Sequence, residues 1–398
     1  MNRNIMSRAF AIQEHMMSIM GYWHKENSSA FYKIRGTVTM LIFLVAYVLM
    51  LMQFFHDIVD FRKFSEILCM LMSYTSYFCK LCGYLYSRKT FLEMLSHLKN
   101  PIFTRCSPEM ERHLIKTLNL SLFITKLYRF SCGMVVILFS IYPLFDDKPL
   151  PTSVPFETGR YTFLLYIIES LAMLIAAWDN FCLDTLCTSL MGTAIGQFDI
   201  LKEKILTFKE RAIGEEEIVL GVNFKTTNIF EANVNKRAKS LLNDCIVHHN
   251  ALIKFVQQIE DTFSFGLLSQ LMGSIIVICN TGFFLMLVSP ASLQFGLFSS
   301  YFITMMAQLT LYCWYGNEIM LKSVQIGEAC YFSQWYTCTA DVKRSIFIIM
   351  EKSRRPLAIT ALKFTTLSLE TFAAIIRSSY SYFALLQRLA NKFESETK

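Results

Sequence analysis

Two short motifs in the sequence contain residue types that bind metals or react as nucleophiles. His248 and His249 are adjacent, and Cys79 and Cys82 form a Cys-x-x-Cys pair. Neighbouring side chains on a helix diverge by about 100°, so the two histidines are poorly oriented to bind one metal ion. The cysteine pair lies in an apolar segment without a second pair beside it. Both motifs are interpreted as packing residues, and the sequence predicts no metal site.

Signatures of catalysis and of cofactor binding are missing from the sequence. It contains no Walker loop, no HExxH zinc motif, no nucleophile elbow and no dinucleotide fingerprint. The chain is therefore predicted not to be an enzyme, with no catalytic residue and no cofactor. Its formal net charge is +7, but no basic stripe is interleaved with aromatic residues. Nucleic acid is not predicted as a partner.

The composition indicates a membrane protein. The mean hydropathy is +0.38, and 54% of residues are hydrophobic whereas 17% are charged. Soluble domains have about 45–50% apolar and about 25% charged residues. A helix crosses a bilayer core with about 20 apolar residues. Seven segments approach that length: 37–55, 66–86, 122–142, 161–183, 263–288, 297–317 and 369–389. We therefore predict an all-α integral membrane protein with seven transmembrane helices.

The distribution of lysine and arginine predicts how the chain is inserted. Alternate connecting regions contain 27 and 6 of these residues, and the richer side is normally cytoplasmic. The N-terminus is thus predicted to be cytoplasmic and the C-terminus extracellular. A G-protein-coupled receptor, the alternative with seven spans, has the opposite orientation. Apolar periodicity over 199–212 and 239–263 predicts that spans four and five continue as cytoplasmic helices, joined by a mobile connector over 214–228.

Charged residues inside the predicted spans need a separate explanation, because charges within a membrane are costly. Lys80, Lys126 and Arg129 lie towards the predicted cytoplasmic ends, where long side chains can extend to the aqueous interface. Glu169 lies in the outer half of span four, too deep for its short side chain to do so. It is expected either to pair with a neighbouring helix or to line an outward-facing cavity.

The last apolar segment carries a polar stripe. At 100° per residue, one side of the helix is polar or small and the opposite side is bulky and apolar. The polar side contains Glu370, Ala374, Arg377, Ser381, Ala384 and Arg388, and the apolar side contains Phe372, Ile375, Phe383 and Leu386. Such a stripe faces water or protein rather than lipid. Helical geometry alone leaves two interpretations open, a pore lining and a polar seam between helices.

The C-terminal third contains specific sequence motifs. They are the Trp335-Tyr336 pair, the "RRP" of Arg354–Pro356, the run "FTTLSLETF" (364–372) and the terminal "SYSYFALL" (379–386). Together they strongly resemble the C-terminal signature of the insect odorant receptor family. The segment 245–264, "CIVHHNALIKFVQQIEDTFS", resembles the family's lead into its fifth helix. The seven spans with an inner N-terminus match the family layout, and a related gustatory-type receptor channel remains an alternative.

The resemblance implies a ligand-gated, non-selective cation channel of four subunits in the plasma membrane, expected in the dendrites of olfactory sensory neurons. A ligand-specific subunit combines with a shared co-receptor in a heterotetramer. This chain is interpreted as the ligand-specific subunit because its 184–262 connection lacks the co-receptor's long insertion. The family layout divides the single domain, 1–398, into a cytoplasmic N-terminus (1–36), a cytoplasmic helical loop (184–262), a cytoplasmic anchor region (318–368) and a pore helix (369–389).

The resemblance also assigns candidate site residues. The ligand, a small apolar volatile molecule, is expected in the outer half of the bundle, among apolar and aromatic side chains with a few hydroxyls. Depth and helical spacing select Met70, Tyr74, Tyr77, Met134, Ile137, Leu138, Tyr166, Glu169, Ser170, Met173, Tyr301, Phe302 and Met305. The family's pore positions, transferred through the Tyr382-Phe383 pair, are Ser381, the constriction at Leu385 and Arg388 just outside it. Membrane lipid is expected to surround the remaining helix faces.

Overall fold

A computed structural model of the protein describes residues 3–23, 29–57, 61–104, 108–145, 150, 154, 159–220 and 228–396. Within these residues the chain forms eleven α-helices and one short β-hairpin. The helices are α1 (Arg3–Met20), α2 (Ala30–His56), α3 (Phe61–Tyr86), α4 (Arg88–Leu98), α5 (Pro101–Thr104), α6 (Pro108–Phe145), α7 (Thr162–Leu220), α8 (Asn228–Leu287), α9 (Leu293–Phe332), α10 (Ala340–Ser353) and α11 (Leu369–Glu396).

The seven predicted spans coincide with α2, α3, α6, α7, α8, α9 and α11. Among the described residues, α2, α6, α7 and α8 are long and apolar enough to cross a membrane by length and composition alone. Helices α7 and α8 contain 59 and 60 residues, about three times the length that a bilayer core requires. The predicted continuation of spans four and five as helices is therefore confirmed.

Helix α7 extends farther than the sequence predicted. The mobile connector was expected from residue 214, but the chain remains helical through Leu220. Arg237 of α8 pairs with Glu215, and Asn233 donates a hydrogen bond to Glu216 over 2.8 Å. These contacts hold the end of α7 against α8, which is why the acidic run is helical. The rest of the predicted connector, 221–227, lies outside the described residues.

Helix α7 forms the centre of the bundle, in contact with α1, α2, α6, α8 and α9. Every residue from Phe181 to Phe198 is buried. A helix that is buried on all sides must satisfy its polar side chains through neighbouring helices, because water does not reach them. Asp184, Thr193 and Gln197 of α7 are in this position.

The link between α9 and α11 is compact. Helix α10 is followed by strands β1 (Thr360–Ala361) and β2 (Thr365–Thr366), which pair in antiparallel register. Leu367, directly after the hairpin, lies against Gly316 of α9. A Cβ at residue 316 would come within 2.4 Å of the Leu367 side chain. The glycine therefore permits the close approach that fixes the start of α11 on the bundle.

Candidate ligand chamber and pore helix

A cavity of about 90 Å³ lies between α3, α6, α7 and α9. We call it the inner chamber. Its wall is mainly apolar and aromatic, with hydroxyl groups at a few positions. The lining residues are Met70, Ser73, Tyr74, Tyr77, Tyr128, Cys132, Val135, Val136, Phe139, Met173, Ala176, Ala177, Asn180, Tyr301, Thr304 and Met305. A small, weakly polar molecule fits this lining, because apolar contact would supply most of its affinity and the hydroxyls would orient it.

The structure brings about half of the sequence-selected pocket residues together around the inner chamber. These are Met70, Tyr74, Tyr77, Met173, Tyr301 and Met305. Two of the tyrosines also make polar contacts within the bundle. The hydroxyl of Tyr77 donates to Asp179 over 3.1 Å, and that of Tyr301 lies 2.5 Å from the Ser73 hydroxyl.

Helix α6 presents a different face to the inner chamber than the sequence suggested. Met134 and Ile137 point out of the bundle, with exposed fractions of 40% and 53%. Leu138 packs against the apolar cluster that contains Phe284 and Phe298, and it does not line the chamber. The residues that do line it are Cys132, Val135, Val136 and Phe139. Because α6 is apolar on most sides, its pattern does not define the inward side, and an error of one residue rotates the chosen stripe by about 100°.

Four further sequence-selected residues lie outside the chamber lining. Tyr166 donates a hydrogen bond to the Ser140 carbonyl over 2.7 Å. Glu169 is buried, Ser170 is half-buried, and Phe302 packs on the main core. The lining residues of α7 begin at Met173, one turn farther along the helix than Glu169. The chamber therefore lies deeper in the bundle than the sequence-based selection placed it.

A buried charged cluster forms the floor of the inner chamber. Lys80 Nζ of α3 donates to Asp184 Oδ1 over 2.6 Å and to Asn180 Oδ1 over 2.8 Å. The same carboxylate accepts hydrogen bonds from the hydroxyls of Tyr128 and Tyr312 over 3.0 and 2.6 Å. Gln308 also donates to it. We call this group the Asp184 cluster, and it is defined by Lys80, Tyr128, Asn180, Asp184, Gln308 and Tyr312.

The Asp184 cluster corrects one sequence-based interpretation. Lys80 was expected to extend to the cytoplasmic interface, but it is buried in an ion pair. Tyr128 and Asn180 belong both to the cluster and to the chamber lining, so the chamber contacts the neutral hydrogen-bond partners of the ion pair. The predicted spans do not reveal this pair, because Lys80 lies 14 residues after the outer end of its span and Asp184 lies 23 residues after the outer end of its own. The observed helices bring the two residues to a similar depth, since Lys80 lies 19 residues after the start of α3 and Asp184 lies 22 residues after the start of α7.

The exposed side of α11 contains most of the polar stripe, together with Ala373, Tyr380 and Tyr382, whereas Ala384 of the stripe is half-buried. Glu370, Ala374, Arg377 and Ser381 are exposed. Ile375 is buried against the bundle, and Phe372 and Phe383 are half-buried. The hydroxyl of Ser381 donates a hydrogen bond to the Arg377 carbonyl over 3.1 Å. Leu385 and Arg388 belong to α11, but their side chains lie outside the described residues.

The adjacent histidines lie in the part of α8 that extends beyond the predicted span. His248 Nε2 is 3.0 Å from Gln197 Oε1, and both side chains are buried. Burial and the nearby Lys204 lower the pKa of His248 to about 3, and burial also lowers the pKa of His249. Both side chains therefore pack as neutral groups. Within the described ranges, no three His, Cys, Asp or Glu residues are grouped closely enough to hold a metal ion.

Comparison with known proteins identifies the family. Residues 60–380 match the family model described as 7tm Odorant receptor. Odorant receptor 13a of Drosophila melanogaster is 28% identical over 322 residues, which cover 75% of this chain and 71% of that protein. Odorant receptor Or1 of Anopheles gambiae is 21% identical over 403 residues, covering 96% of each chain.

A solved structure shares the fold. The insect olfactory receptor OR5 from Machilis hrabei, in complex with eugenol, superposes with a TM-score of 0.81. The match covers 97% of this chain and 98% of that one, with 14% sequence identity. The family match extends over most of the chain, from α3 into α11. The chain therefore belongs to the seven-transmembrane odorant receptor family.

Proposed function

We propose that this protein is the ligand-specific subunit of an odorant-gated, non-selective cation channel. It binds small apolar volatile molecules in the inner chamber and opens a pore lined by the last helix. It assembles as a heterotetramer with odorant co-receptor subunits in the plasma membrane of olfactory neuron dendrites. The N-terminus is cytoplasmic and the C-terminus is extracellular.

The observation that carries the ligand assignment is the chemistry of the inner chamber. Its wall combines methionine and aromatic side chains with single hydroxyls such as those of Ser73, Tyr74 and Thr304. Methionine adapts its shape to different apolar partners, and a hydroxyl distinguishes weakly polar ligands that can form a hydrogen bond from those that cannot. Eugenol, bound by the structurally similar receptor of Machilis hrabei, is a molecule of this class.

The exposed stripe of α11 supports the pore assignment. A lone transmembrane helix that faced lipid would not expose Glu370 and Arg377 together with Ser381. In a tetramer, four such stripes facing one axis would line a hydrated path. Leu385 is assigned to the hydrophobic constriction of that path and Arg388 to its outer mouth. A ring of four Arg388 side chains would repel the cations that pass through the pore. A tetramer in which co-receptor subunits replace some copies of this chain contains fewer of these arginines, which fits the assignment as a ligand-specific subunit.

Current recordings test the assignment directly. Cells that express this chain with the co-receptor should respond to some members of a panel of volatile compounds with a non-selective cation current. Cells that express either protein alone supply the control, because the ligand response is expected only from the pair. Currents from this chain alone would contradict the heterotetramer. Responses that require a G protein would contradict channel function.

Matched substitutions test the chamber. Met173 lines the chamber and is 6% exposed, whereas Met134 faces out of the bundle. Met173→Leu should change the ranking of active compounds, as should Tyr74→Phe and Tyr301→Phe. Met134→Leu, the same chemical change on the outer face, should leave the ranking unchanged. If the three chamber variants shift every compound equally, or only reduce surface expression, the ligand binds elsewhere.

A further inference from the structure

A second cavity of about 110 Å³ lies between α2, α3, α6 and α9. We call it the outer cavity. Ile67, Leu297 and Phe298 provide apolar walls, and Lys63, Glu66 and Gln294 provide a polar rim. Lys63 is exposed, so this rim reaches the surface of the protein. None of these six residues lines the inner chamber.

The two cavities are stacked along the bundle axis. On α3, residues 63–70 line the outer cavity and residues 70–77 line the inner chamber; on α9 the corresponding ranges are 294–301 and 301–305. Helix α6 runs in the opposite direction and shows the reverse order. Seven helical residues span about 10 Å. Three independent helices thus place the outer cavity directly above the chamber, towards the predicted extracellular side.

Three side chains form the partition between the cavities. Met70, Phe139 and Tyr301 line both of them. The rings of Phe139 and Tyr301 meet edge to face with their centroids 5.8 Å apart. The Tyr301 hydroxyl is 2.5 Å from the Ser73 hydroxyl and donates to the Cys69 carbonyl over 3.4 Å. These contacts hold the aromatic pair in place, while Met70 is a flexible third member.

We propose that the outer cavity is the antechamber through which small apolar ligands reach the inner chamber. The inference rests on the proposed function of the chamber. Polar groups at the rim keep the mouth in contact with water, and the apolar walls below it favour transfer of a hydrophobic molecule from water. The ligand then passes the partition when the side chains of Met70, Phe139 and Tyr301 move aside, and the backbone does not need to move. The antechamber therefore controls how fast ligands arrive and leave.

Rates distinguish an access route from a wall of the binding site. An obstacle on a route slows arrival and departure by the same factor, so the equilibrium affinity is unchanged. A change in the binding site alters affinity and acts mainly on departure. Cysteines at the mouth provide such an obstacle. Lys63→Cys and Gln294→Cys are suitable positions, because they lie at the rim and outside the inner chamber.

The experiment applies a bulky, membrane-impermeant thiol reagent to cells that express each variant with the co-receptor. Onset and washout of the current should both slow, by about tenfold if the reagent adds ~1.4 kcal/mol to the barrier, while the half-maximal concentration stays constant. The unsubstituted chain measures the background from native cysteines. Tyr161→Cys, at an exposed position just before α7 that lines neither cavity, measures the effect of modification away from the mouth. Modification itself is verified by labelling with a fluorescent version of the reagent.

The possible outcomes are distinct. Slowed onset and washout at both mouth positions support the antechamber. Unchanged rates after verified labelling overturn it, as would be found if ligands entered laterally from the membrane. A shift in half-maximal concentration with unchanged onset also overturns it, because the cavity would then be part of the binding site. Absence of any ligand-gated current before labelling would instead contradict the proposed channel function.

Discussion

The ion pair between Lys80 and Asp184 offers a strong test of how this bundle is held together. It joins α3 to α7 with both side chains at most 5% exposed. Tyr128 of α6 and Tyr312 of α9 donate to the same carboxylate. Asp184 therefore connects four helices at one point, directly beneath the inner chamber. We predict that removing either charge destabilises the fold, and that Asp184→Leu does so more than Lys80→Met.

The magnitude follows from what each substitution leaves behind. Breaking a buried pair by removing one partner costs about 3–5 kcal/mol. Lys80→Met leaves a carboxylate that still accepts three neutral hydrogen bonds, so its cost should lie near 3 kcal/mol. Asp184→Leu leaves the ammonium and also removes the acceptor from Tyr128, Gln308 and Tyr312. Each buried donor left unsatisfied adds about 1–3 kcal/mol, so the cost should reach or exceed 5 kcal/mol.

The double variant measures the coupling between the two charges. Lys80→Met combined with Asp184→Leu removes both charges and leaves only the neutral donors without an acceptor. The double variant should be more stable than Asp184→Leu alone. The sum of the losses of folding free energy in the two single variants should exceed the loss in the double variant by at least ~2 kcal/mol. The assay heats membranes that contain the fluorescently tagged chain, solubilises them and measures the fraction that remains monodisperse in size-exclusion chromatography.

An exposed pair with similar geometry supplies the control. Lys239 Nζ lies 2.7 Å from Asp341 Oδ2, close to the 2.6 Å of the buried pair, but both side chains are more than half exposed. Lys239→Met and Asp341→Leu should leave thermal stability nearly unchanged, because water screens the exposed pair. If the buried and exposed variants behave alike, or if the two buried substitutions act additively, the Asp184 cluster does not hold the bundle.

Three further predictions concern the pore, the topology and the cytoplasmic helices. Leu385→Ser should raise resting current or alter ion selectivity, because a hydrophobic constriction becomes wettable; normal leak and selectivity in recordings would reject the assignment. An N-terminal tag should be accessible to antibody only after permeabilisation and a C-terminal tag on intact cells, and the reverse result would contradict the charge asymmetry. The pKa of His248 is lowered to about 3, so between pH 7.5 and 5.5 the unfolded chain gains a proton that the folded chain does not. The free energy of unfolding should therefore fall by roughly 1.4 kcal/mol over this range. His248→Gln should reduce the dependence of thermal stability on pH; an unchanged dependence would show that His248 is not buried as a neutral side chain.

The sequence by itself determined the helical class, the seven membrane segments and the family. Each depends on local properties: the length of an apolar run, the helical repeat, and the motifs around Trp335-Tyr336 and 364–372. A segment such as 37–55 is recognisable alone, because about 20 apolar residues suffice to cross the bilayer whatever lies beside them. The two sides of α11 were also readable, because its polar and apolar residues separate clearly around the helix.

The tertiary structure decided which way each apolar helix is rotated and which distant residues meet. Met134 and Ile137 face outwards while Val135 and Phe139 line the chamber. The sequence of α6 does not predict this rotation, because the helix is apolar on almost all sides. Lys80 and Asp184 are 104 positions apart, and their pairing depends on α3 and α7 reaching the same depth side by side. Rotation and pairing arise from the simultaneous packing of all the helices, since each must satisfy its buried polar groups and fill the space left by its neighbours.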